Sequence, residues 1–230
     1  MASTPERGAG PLRAVWLGRV PFEQTARRQS DMREAFVAGD GVDTVLLVEH
    51  PPTITVGRRG RREDIRWDAG RLAARGIAVE EAPRGGELTL HAPGQLVVYP
   101  VIRIGRRIRQ HVMDLAETSI DLLGRYGVPN AFYDPDNPGV WSGRHKLASV
   151  GIHVSRGVAV QGLALNVDVD PVLFGSLVSC GMSDAVMVSV AQLTRLPVPP
   201  LPEIARAWAT RFAERQDREL IWLPGVDAAG

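Results

Sequence analysis

Two neighbouring apolar runs in the second half of the chain, Lys146–Val154 and Val158–Asp168, constrain its fold more than any other feature. Both have the length of a strand and are rich in aliphatic and β-branched residues. Ser155-Arg156-Gly157 between them is typical of a hairpin turn. The pattern predicts an antiparallel pair of strands. Because strands and helices alternate along the rest of the chain, the pair belongs in a mixed sheet with helices packed on it, an α+β or mixed α/β fold.

Hydrophobic patterning and turn residues place the other elements. Strands are predicted at 14–19, 43–49, 53–56, 77–81, 96–104 and 219–223, with an interruption at Pro100. Helices are predicted at 22–38, 110–126 and 202–215, with a short helix capped by Asp68, one helical turn at 171–175, and 186–192 left open between strand and helix. A single domain is expected at 12–220, between a flexible tail at 1–11 and a second tail at 221–230.

Cys180 is the only cysteine of the 230 residues, and Lys146 is the only lysine among 27 basic residues. Arginine is never usefully deprotonated, whereas a desolvated amine can give up its proton. A lone lysine therefore suggests a position that needs a titratable amine, although a leftover surface lysine would look the same. A lone cysteine is more often a small buried hydrophobe than a nucleophile.

The surroundings of both residues favour a functional role. Cys180 lies among Gly and Ser residues that are typical of a turn, which can expose sulfur to a substrate. Lys146 begins a mostly apolar strand, where burial would lower its pKa. The spacing of 34 residues does not by itself bring the two side chains together.

Composition narrows the classes of function. The formal net charge of +1 gives no electrostatic reason to expect nucleic acid as a partner. A single cysteine excludes an internal disulfide framework, which fits the cytoplasm. We expect no signal peptide or membrane span, and His and Cys show no spacing typical of a metal site. Local clusters of arginine, at 58–62 and 103–109, are either solvated loops or a landing site for an acidic partner.

The segment Arg84–Gln95 combines paired glycines, a Pro-Gly turn, an arginine and a histidine. It lacks the arrangement of a phosphate-binding loop or a dinucleotide fingerprint. Paired glycines allow the backbone to lie close to a ligand or to another strand. The residues alone leave two interpretations open, a ligand-binding segment and a bulged hairpin in which His91 satisfies a backbone group.

Four motifs resemble those of the octanoyl-[acyl-carrier-protein]–protein octanoyltransferases, or lipoyl(octanoyl) transferases. They are RGGELTLHAPGQ at 84–95, KLASVG at 146–151, GLALNV at 162–167 and SCGM at 179–182. Gln161 and Leu163 stand where this family commonly has His and Phe. The resemblance implies the fold of the biotin/lipoate protein ligase catalytic domain, a mixed sheet flanked by helices.

The resemblance also implies the site. The family's nucleophile falls on Cys180 and its partner lysine on Lys146. The implied substrate-binding residues are Arg84, Gly85, Gly86, Glu87, Leu88, Thr89, Leu90, His91, Ser149, Val150, Gly151, Gly162, Leu163 and Ala164.

The implied reaction moves an octanoyl group from octanoyl-acyl-carrier protein, through a thioester on the cysteine, to a lysine of a lipoyl domain. The acceptors would be lipoyl domains of 2-oxo-acid dehydrogenase complexes and glycine cleavage H protein. No metal, cofactor or nucleotide would be needed, because the thioester donor is already activated. The alternatives are an ATP-dependent lipoate or biotin ligase, a cysteine hydrolase with His91 as base, and a non-catalytic module that binds acyl-carrier protein.

Overall fold

A computed structural model describes residues 10–178 and 186–225. Within these stretches the strands are β1 (Leu12–Arg19), β2 (Thr44–Glu49), β3 (Thr53–Val56), β4 (Ala78–Glu81), β5 (Leu88–His91), β6 (Gln95–Arg103), β7 (Ala131–Asp134), β8 (Gly139–Ser142), β9 (His145–Ser155), β10 (Val158–Asn166), β11 (Val186–Met187) and β12 (Leu220–Trp222). The α-helices are α1 (Phe22–Ala38), α2 (Ala69–Ala74), α3 (Ile108–Arg125), α4 (Val190–Leu193) and α5 (Leu201–Arg215), and 3₁₀ turns lie at Arg62–Asp64 and Pro171–Ser176.

The strands form two sheets. The larger has the order β12-β1-β2-β6-β10-β9-β8-β7, and β11 pairs with β9 outside this path. Its β12, β1 and β2 are mutually parallel, whereas β6, β10, β9, β8 and β7 each pair antiparallel with their neighbours. The smaller sheet has the order β4-β3-β5. This mixed topology agrees with the predicted fold class.

Helices cover both faces of the larger sheet. In β2, Val45 and Leu47 belong to the core cluster formed with α3 and α5, and Leu46 and Val48 belong to the cluster formed with α1. All four side chains are fully buried. A strand covered on both faces needs no polar alternation, which explains the continuous apolar run in the sequence. A third core cluster packs beneath the smaller sheet. In the described part of the chain, no helix is long and apolar enough to span a bilayer.

The predicted hairpin is confirmed. β9 and β10 pair antiparallel, and the turn between them holds Arg156 at φ 50° and Gly157 at φ 77°. Two successive residues with positive φ match the twist of the flanking strands. Helix α1 spans the predicted residues and ends at Gly39, which has a left-handed φ of 100°.

The predicted interruption at Pro100 is wrong, because β6 continues through it. On one side Pro100 pairs in register with Val45 of β2. On the other side the pairing of β10 with β6 is interrupted between Ala159 and Leu163, where Gln161 has φ 62° and its N–H donates to the Gln29 side chain at 2.7 Å. The ladder therefore does not require the N–H that proline lacks.

The predicted tail at 221–230 begins too early. Ile221 and Trp222 pair in register with Arg13 and Ala14 of β1, and the Leu223 N–H donates to the Ala14 carbonyl. The parallel edge strand thus carries the folded chain past residue 220, since its backbone groups are satisfied by β1. Residues 1–9 and 226–230 lie outside the described residues.

Gly94→Ala is expected to lower the free energy of unfolding by about 3 kcal/mol. Gly94 has φ 86°, and a Cβ there would lie 2.0 Å from the backbone oxygen of Asp168. The matched control is Gly143→Ala, with φ 57° and no described residue within 4 Å of the added carbon. The control retains only the conformational cost of about 1 kcal/mol. Urea unfolding measures both, and equal losses would show that the contact with Asp168 is unimportant.

Because of His111, in the first turn of α3, we expect the free energy of unfolding to fall in acid. It is 2% exposed, and within the described stretches its ring nitrogens have no hydrogen-bond partner. Burial lowers the pKa of His111 from 6.5 to about 4. Because the folded pKa lies below the unfolded value, the stabilisation is complete above pH 6.5 and is lost as the pH falls toward 4.

The expected loss from His111 over that interval is about 3 kcal/mol. Urea titrations at several pH values should show a falling free energy of unfolding, with a smaller slope in His111→Leu. An unchanged slope in the variant would assign the acid sensitivity to other groups. His50, whose pKa burial also lowers to about 4, is the first of these.

Candidate active site

A cavity of about 570 Å³ lies between β9 and the Gly-rich segment that precedes β5. Hydrogen bonds hold this segment on both sides. The Gly85 N–H donates to the Ile152 carbonyl at 3.1 Å, and the Gly57 N–H donates to the Glu87 carbonyl at 2.8 Å. The lining consists of Arg58, Arg59, Arg84, Gly85, Gly86, Glu87, Leu88, Thr89, Val112, Tyr133, Asp136, Asn137, Pro138, Lys146, Ser149, Val150, Gly151 and Ile152.

Glycines permit this close approach of three backbone segments. A Cβ at Gly57 would lie 2.6 Å from the Gly86 oxygen, and one at Gly151 would lie 3.1 Å from the Gly85 oxygen. Side chains at either position would push the Gly-rich segment away from β3 or from β9. The segment forms one wall of the cavity, which is compatible with the interpretation that it binds a ligand.

Arg84 braces that wall from within. It is 6% exposed, and its Nη2 donates to the Thr55 carbonyl at 2.7 Å and to the Thr55 hydroxyl at 2.8 Å. Its Nη1 donates to the Gly85 carbonyl at 3.0 Å. These hydrogen bonds to backbone and hydroxyl oxygens fix the guanidinium beside the cavity.

Lys146 lies on β9 at the opposite wall and is 6% exposed. Its Nζ is 5.1 Å from the centre of the Trp141 ring. Gly139 of β8 leaves room for the side chain, since a Cβ there would lie 2.5 Å from Lys146 Cε. Lysine is rarely buried to this degree in a soluble protein, so its position in a cavity wall marks a functional candidate.

The positive charge of Lys146 affects the pKa of a nearby carboxyl group, that of Asp134. The pKa of Asp134 is lowered, first by the hydrogen bond from the Asn137 side chain and, to a smaller extent, by the charge of Lys146. Asn137 also lines the cavity. The turn between β7 and β8 thus sets a carboxylate and an amide within electrostatic reach of the lysine.

Cys180 lies outside the described residues, and so do Ser179 and residues 181–185. The described ends of this stretch are both near Lys146. Leu177 and Met187 line a small cavity together with Lys146, and Met187 pairs in register with it. Leu177 and Met187, which flank Cys180 in the sequence, therefore both lie near Lys146, although Cys180 and Lys146 are 34 residues apart in the sequence.

His91 is fully engaged in a buried hydrogen-bond network. Gln95 Nε2 donates to Leu90 and Asn166 oxygens, so Gln95 Oε1 is the acceptor that faces His91 Nδ1 at 2.9 Å. His91 Nδ1 must then carry the hydrogen, which leaves Nε2 as an acceptor 3.4 Å from the Thr55 hydroxyl, whose one hydrogen also faces the Thr89 carbonyl at 3.3 Å.

Burial, with smaller contributions from His50 and Arg84, holds the pKa of His91 well below its usual value. The neutral ring is 4% exposed and is not among the described residues that line the main cavity with Lys146, so it is poorly placed to act as a base there. The contacts of His91 therefore speak against the hydrolase alternative.

The same network reaches the far side of the site. Asn166, at the end of β10, donates from Nδ2 to the Val188 carbonyl at 3.1 Å. The Val188 N–H donates in turn to the Lys146 carbonyl at 3.1 Å. Buried polar groups thus tie the Gly-rich wall to the strand that carries the lysine, which fixes their separation.

The structure brings the described predicted site residues together. Residues 84–89, 149–151 and Lys146 line the main cavity. Leu90 lines the small cavity that contains Lys146 and Ser149, while His91, Gly162, Leu163 and Ala164 line a third cavity that shares Arg84, Thr89, Ser149 and Gly151. Within the described stretches, no group of three His, Asp or Glu residues could hold a metal ion.

Part of the wall was not predicted. Asp136, Asn137 and Pro138 were not among the predicted site residues, although their acidic and amide side chains beside a glycine were an available signal. Val112 and Tyr133, which also line the cavity, carried no signal of their own. Thr55 was predicted only as a strand residue, although it supplies two acceptors to Arg84.

The chain is similar in sequence to known proteins over most of its length. The family described as the lipoyl protein ligase A/B catalytic domain matches residues 21–213. An octanoyltransferase from Desulfovibrio desulfuricans is 39% identical over 199 residues, which cover 85% of this chain and 83% of the relative.

Solved structures share the fold. A bi-partite lipoate protein ligase from Thermoplasma acidophilum, studied with its E2 lipoyl domain, superposes with a TM-score of 0.71 at 15% identity and covers 95% of this chain and 88% of its own. A biotin protein ligase from Aquifex aeolicus, in complex with biotin and ATP, gives a TM-score of 0.53 at 15% identity, with coverage of 89% and 70%. The predicted fold is confirmed by these likenesses.

Proposed function

Because the chain belongs to the lipoyl protein ligase A/B catalytic domain family and is, like its relatives, an octanoyltransferase, we propose that it takes its octanoyl group from octanoyl-acyl-carrier protein through a thioester on Cys180. The acceptor is the amine of a specific lysine on a lipoyl domain. The observation that carries the proposal is a buried lysine in the wall of a cavity of about 570 Å³, a volume within the range of small-molecule sites.

In the first half-reaction the Cys180 thiolate attacks the thioester carbonyl of the donor. A new carbon–sulfur bond forms, the bond to the carrier's sulfur breaks, and the released thiolate takes its proton from the Lys146 ammonium, which leaves Lys146 neutral. Only the thiolate attacks well, and a free cysteine has a pKa of about 8.5. An ammonium on Lys146 beside the sulfur would favour the thiolate.

In the second half-reaction the acceptor amine attacks octanoyl-Cys180. A carbon–nitrogen bond forms and the Cys180 thiolate leaves. The free acceptor amine has a pKa of about 10.4 and arrives protonated, so the step needs a base. The amine loses two protons in becoming an amide: the neutral Lys146 takes one, which an arginine could not do, and water takes the other.

The proposed acceptors are lipoyl domains of 2-oxo-acid dehydrogenase complexes and glycine cleavage H protein. Support comes from the Thermoplasma ligase, a structural neighbour that was studied with its E2 lipoyl domain. Both carrier protein and lipoyl domains would meet the enzyme in the cytoplasm, which is the compartment we propose.

Transfer of octanoyl to an apo lipoyl domain, with and without ATP, tests the function. The proposal expects transfer from octanoyl-acyl-carrier protein without ATP. Activity that appears only with ATP and free octanoate would instead identify a lipoate-protein ligase. Binding of the carrier protein without any transfer would identify a non-catalytic module.

A further inference from the structure

Arg58 and Arg59 form an exposed cationic pair in the turn after β3 and line the active-site cavity. Their backbone fixes the turn to the Gly-rich wall. The Arg58 N–H donates to the Arg84 carbonyl at 3.1 Å, and the Arg59 N–H donates to the Gly86 carbonyl at 3.1 Å. The backbone from which the two arginine side chains extend is therefore held at the edge of the cavity.

Their neighbours in the same loop are neutralised, whereas this pair is not. Arg62 contacts Glu81 at 2.8 Å, and Arg61 lies 3.6 Å from Glu63. Within residues 10–178 and 186–225, neither Arg58 nor Arg59 has a carboxylate within 4.0 Å. Two solvated guanidinium groups beside a substrate cavity have unused capacity for an anion.

The charges of the residues that line the cavity also favour binding of an anion. Among the described residues, its lining contains four cationic side chains, Arg58, Arg59, Arg84 and Lys146, against the two acidic side chains of Glu87 and Asp136. Arg84 and Lys146 are buried, so the exposed positive charge belongs to the arginine pair. A substrate with an anionic group outside the reacting carbonyl would complement this arrangement.

We infer that Arg58 and Arg59 bind the phosphate of the donor's 4′-phosphopantetheine arm, which joins the arm to the carrier protein. This inference rests on the proposed function and specifies the donor side of the same site. The two substrates differ in charge: the donor's arm ends in a phosphodiester, whereas the acceptor presents an ammonium that a cationic surface repels. Guanidinium groups match phosphate oxygens in geometry as well as in charge.

Two small donors that differ only in the phosphate isolate this contact. Octanoyl-pantetheine and octanoyl-4′-phosphopantetheine carry the same thioester, and intact mass spectrometry follows acylation of the enzyme by each. The wild-type enzyme is expected to prefer the phosphorylated donor by roughly 10- to 100-fold in kcat/KM. Arg58→Gln/Arg59→Gln should reduce this ratio to near 1.

The matched control is Arg13→Gln/Arg206→Gln, which removes the same charge from two exposed arginines near β12, at the far edge of the sheet from the cavity. It should keep the wild-type ratio. A wild-type ratio near 1, or a preserved ratio in Arg58→Gln/Arg59→Gln, would overturn the inference. So would an unchanged ratio with slower discharge to the lipoyl domain, which would place the arginines on the acceptor side. No acylation by either donor would refute the proposed function itself.

Discussion

Lys146→Arg is expected to keep the fold and to lose octanoyl transfer by roughly 10²- to 10⁴-fold, the contribution of a positioned general base. Arginine preserves the positive charge beside Trp141 but cannot accept a proton from the incoming amine. The measurement is kcat for transfer from octanoyl-acyl-carrier protein to an apo lipoyl domain, with thermal unfolding as the check on the fold.

The half-reactions separate the two roles of Lys146. If its charge favours the Cys180 thiolate and its amine serves as base, Lys146→Arg should acylate more readily than it discharges. Acyl-enzyme should then accumulate in the variant. A folded Lys146→Arg enzyme with wild-type turnover would remove the base from the mechanism.

Gly139→Ala is expected to reduce octanoyl transfer by about 10²-fold without touching a chemical group, the loss expected from a misplacement of about 1 Å. The added carbon would lie 2.5 Å from Lys146 Cε and 2.4 Å from the Ala148 carbonyl oxygen. Either the lysine or β9 must move, and both displace the amine from its position in the cavity wall.

Gly143→Ala is the control for Gly139→Ala, because Gly143 lies in the turn that joins β8 to β9 and an added Cβ there would have no atom of residues 10–178 or 186–225 within 4 Å. It should keep most of its activity despite its positive φ of 57°. Similar activity losses in the two variants would indicate general weakening of the hairpin instead of displacement of Lys146.

Local patterns in the sequence were sufficient for most elements of the fold. The apolar runs around Ser155-Arg156-Gly157 predicted the β9–β10 hairpin, and Gly39 predicted the end of α1, because each depends on nearby residues. The prediction of a strand interruption at Pro100 was wrong, because a proline is tolerated at this position in β6 when Gln29 of α1 satisfies the N–H of Gln161 in β10. No local pattern contains that contact.

The buried face of α1 shows the same limit. The apolar Val37 is 51% exposed, whereas the polar Thr25 is fully buried. The Thr25 hydroxyl donates to the Pro21 carbonyl at 3.0 Å, so a polar side chain is satisfied within the helix and can be buried. Hydrophobicity alone does not record this possibility.

In the candidate site, too, some residues could be predicted from the sequence and others could not. Lys146 was singled out as the only lysine, and family resemblance named the segments at 84–91, 149–151 and 162–164, which the structure brings around contiguous cavities. The contribution of Thr55 to Arg84, from 29 residues away, could not be foreseen because it depends on the pairing of β3 with β5.

Intact mass spectrometry of the enzyme mixed with octanoyl-acyl-carrier protein tests the central claim most directly, with Cys180→Ala as the control. The account predicts a gain of one octanoyl group on the wild-type protein, no gain on Cys180→Ala, and loss of the group when an apo lipoyl domain is added. An unmodified wild-type enzyme that still transfers octanoyl, or an equal gain on Cys180→Ala, would contradict a thioester on Cys180.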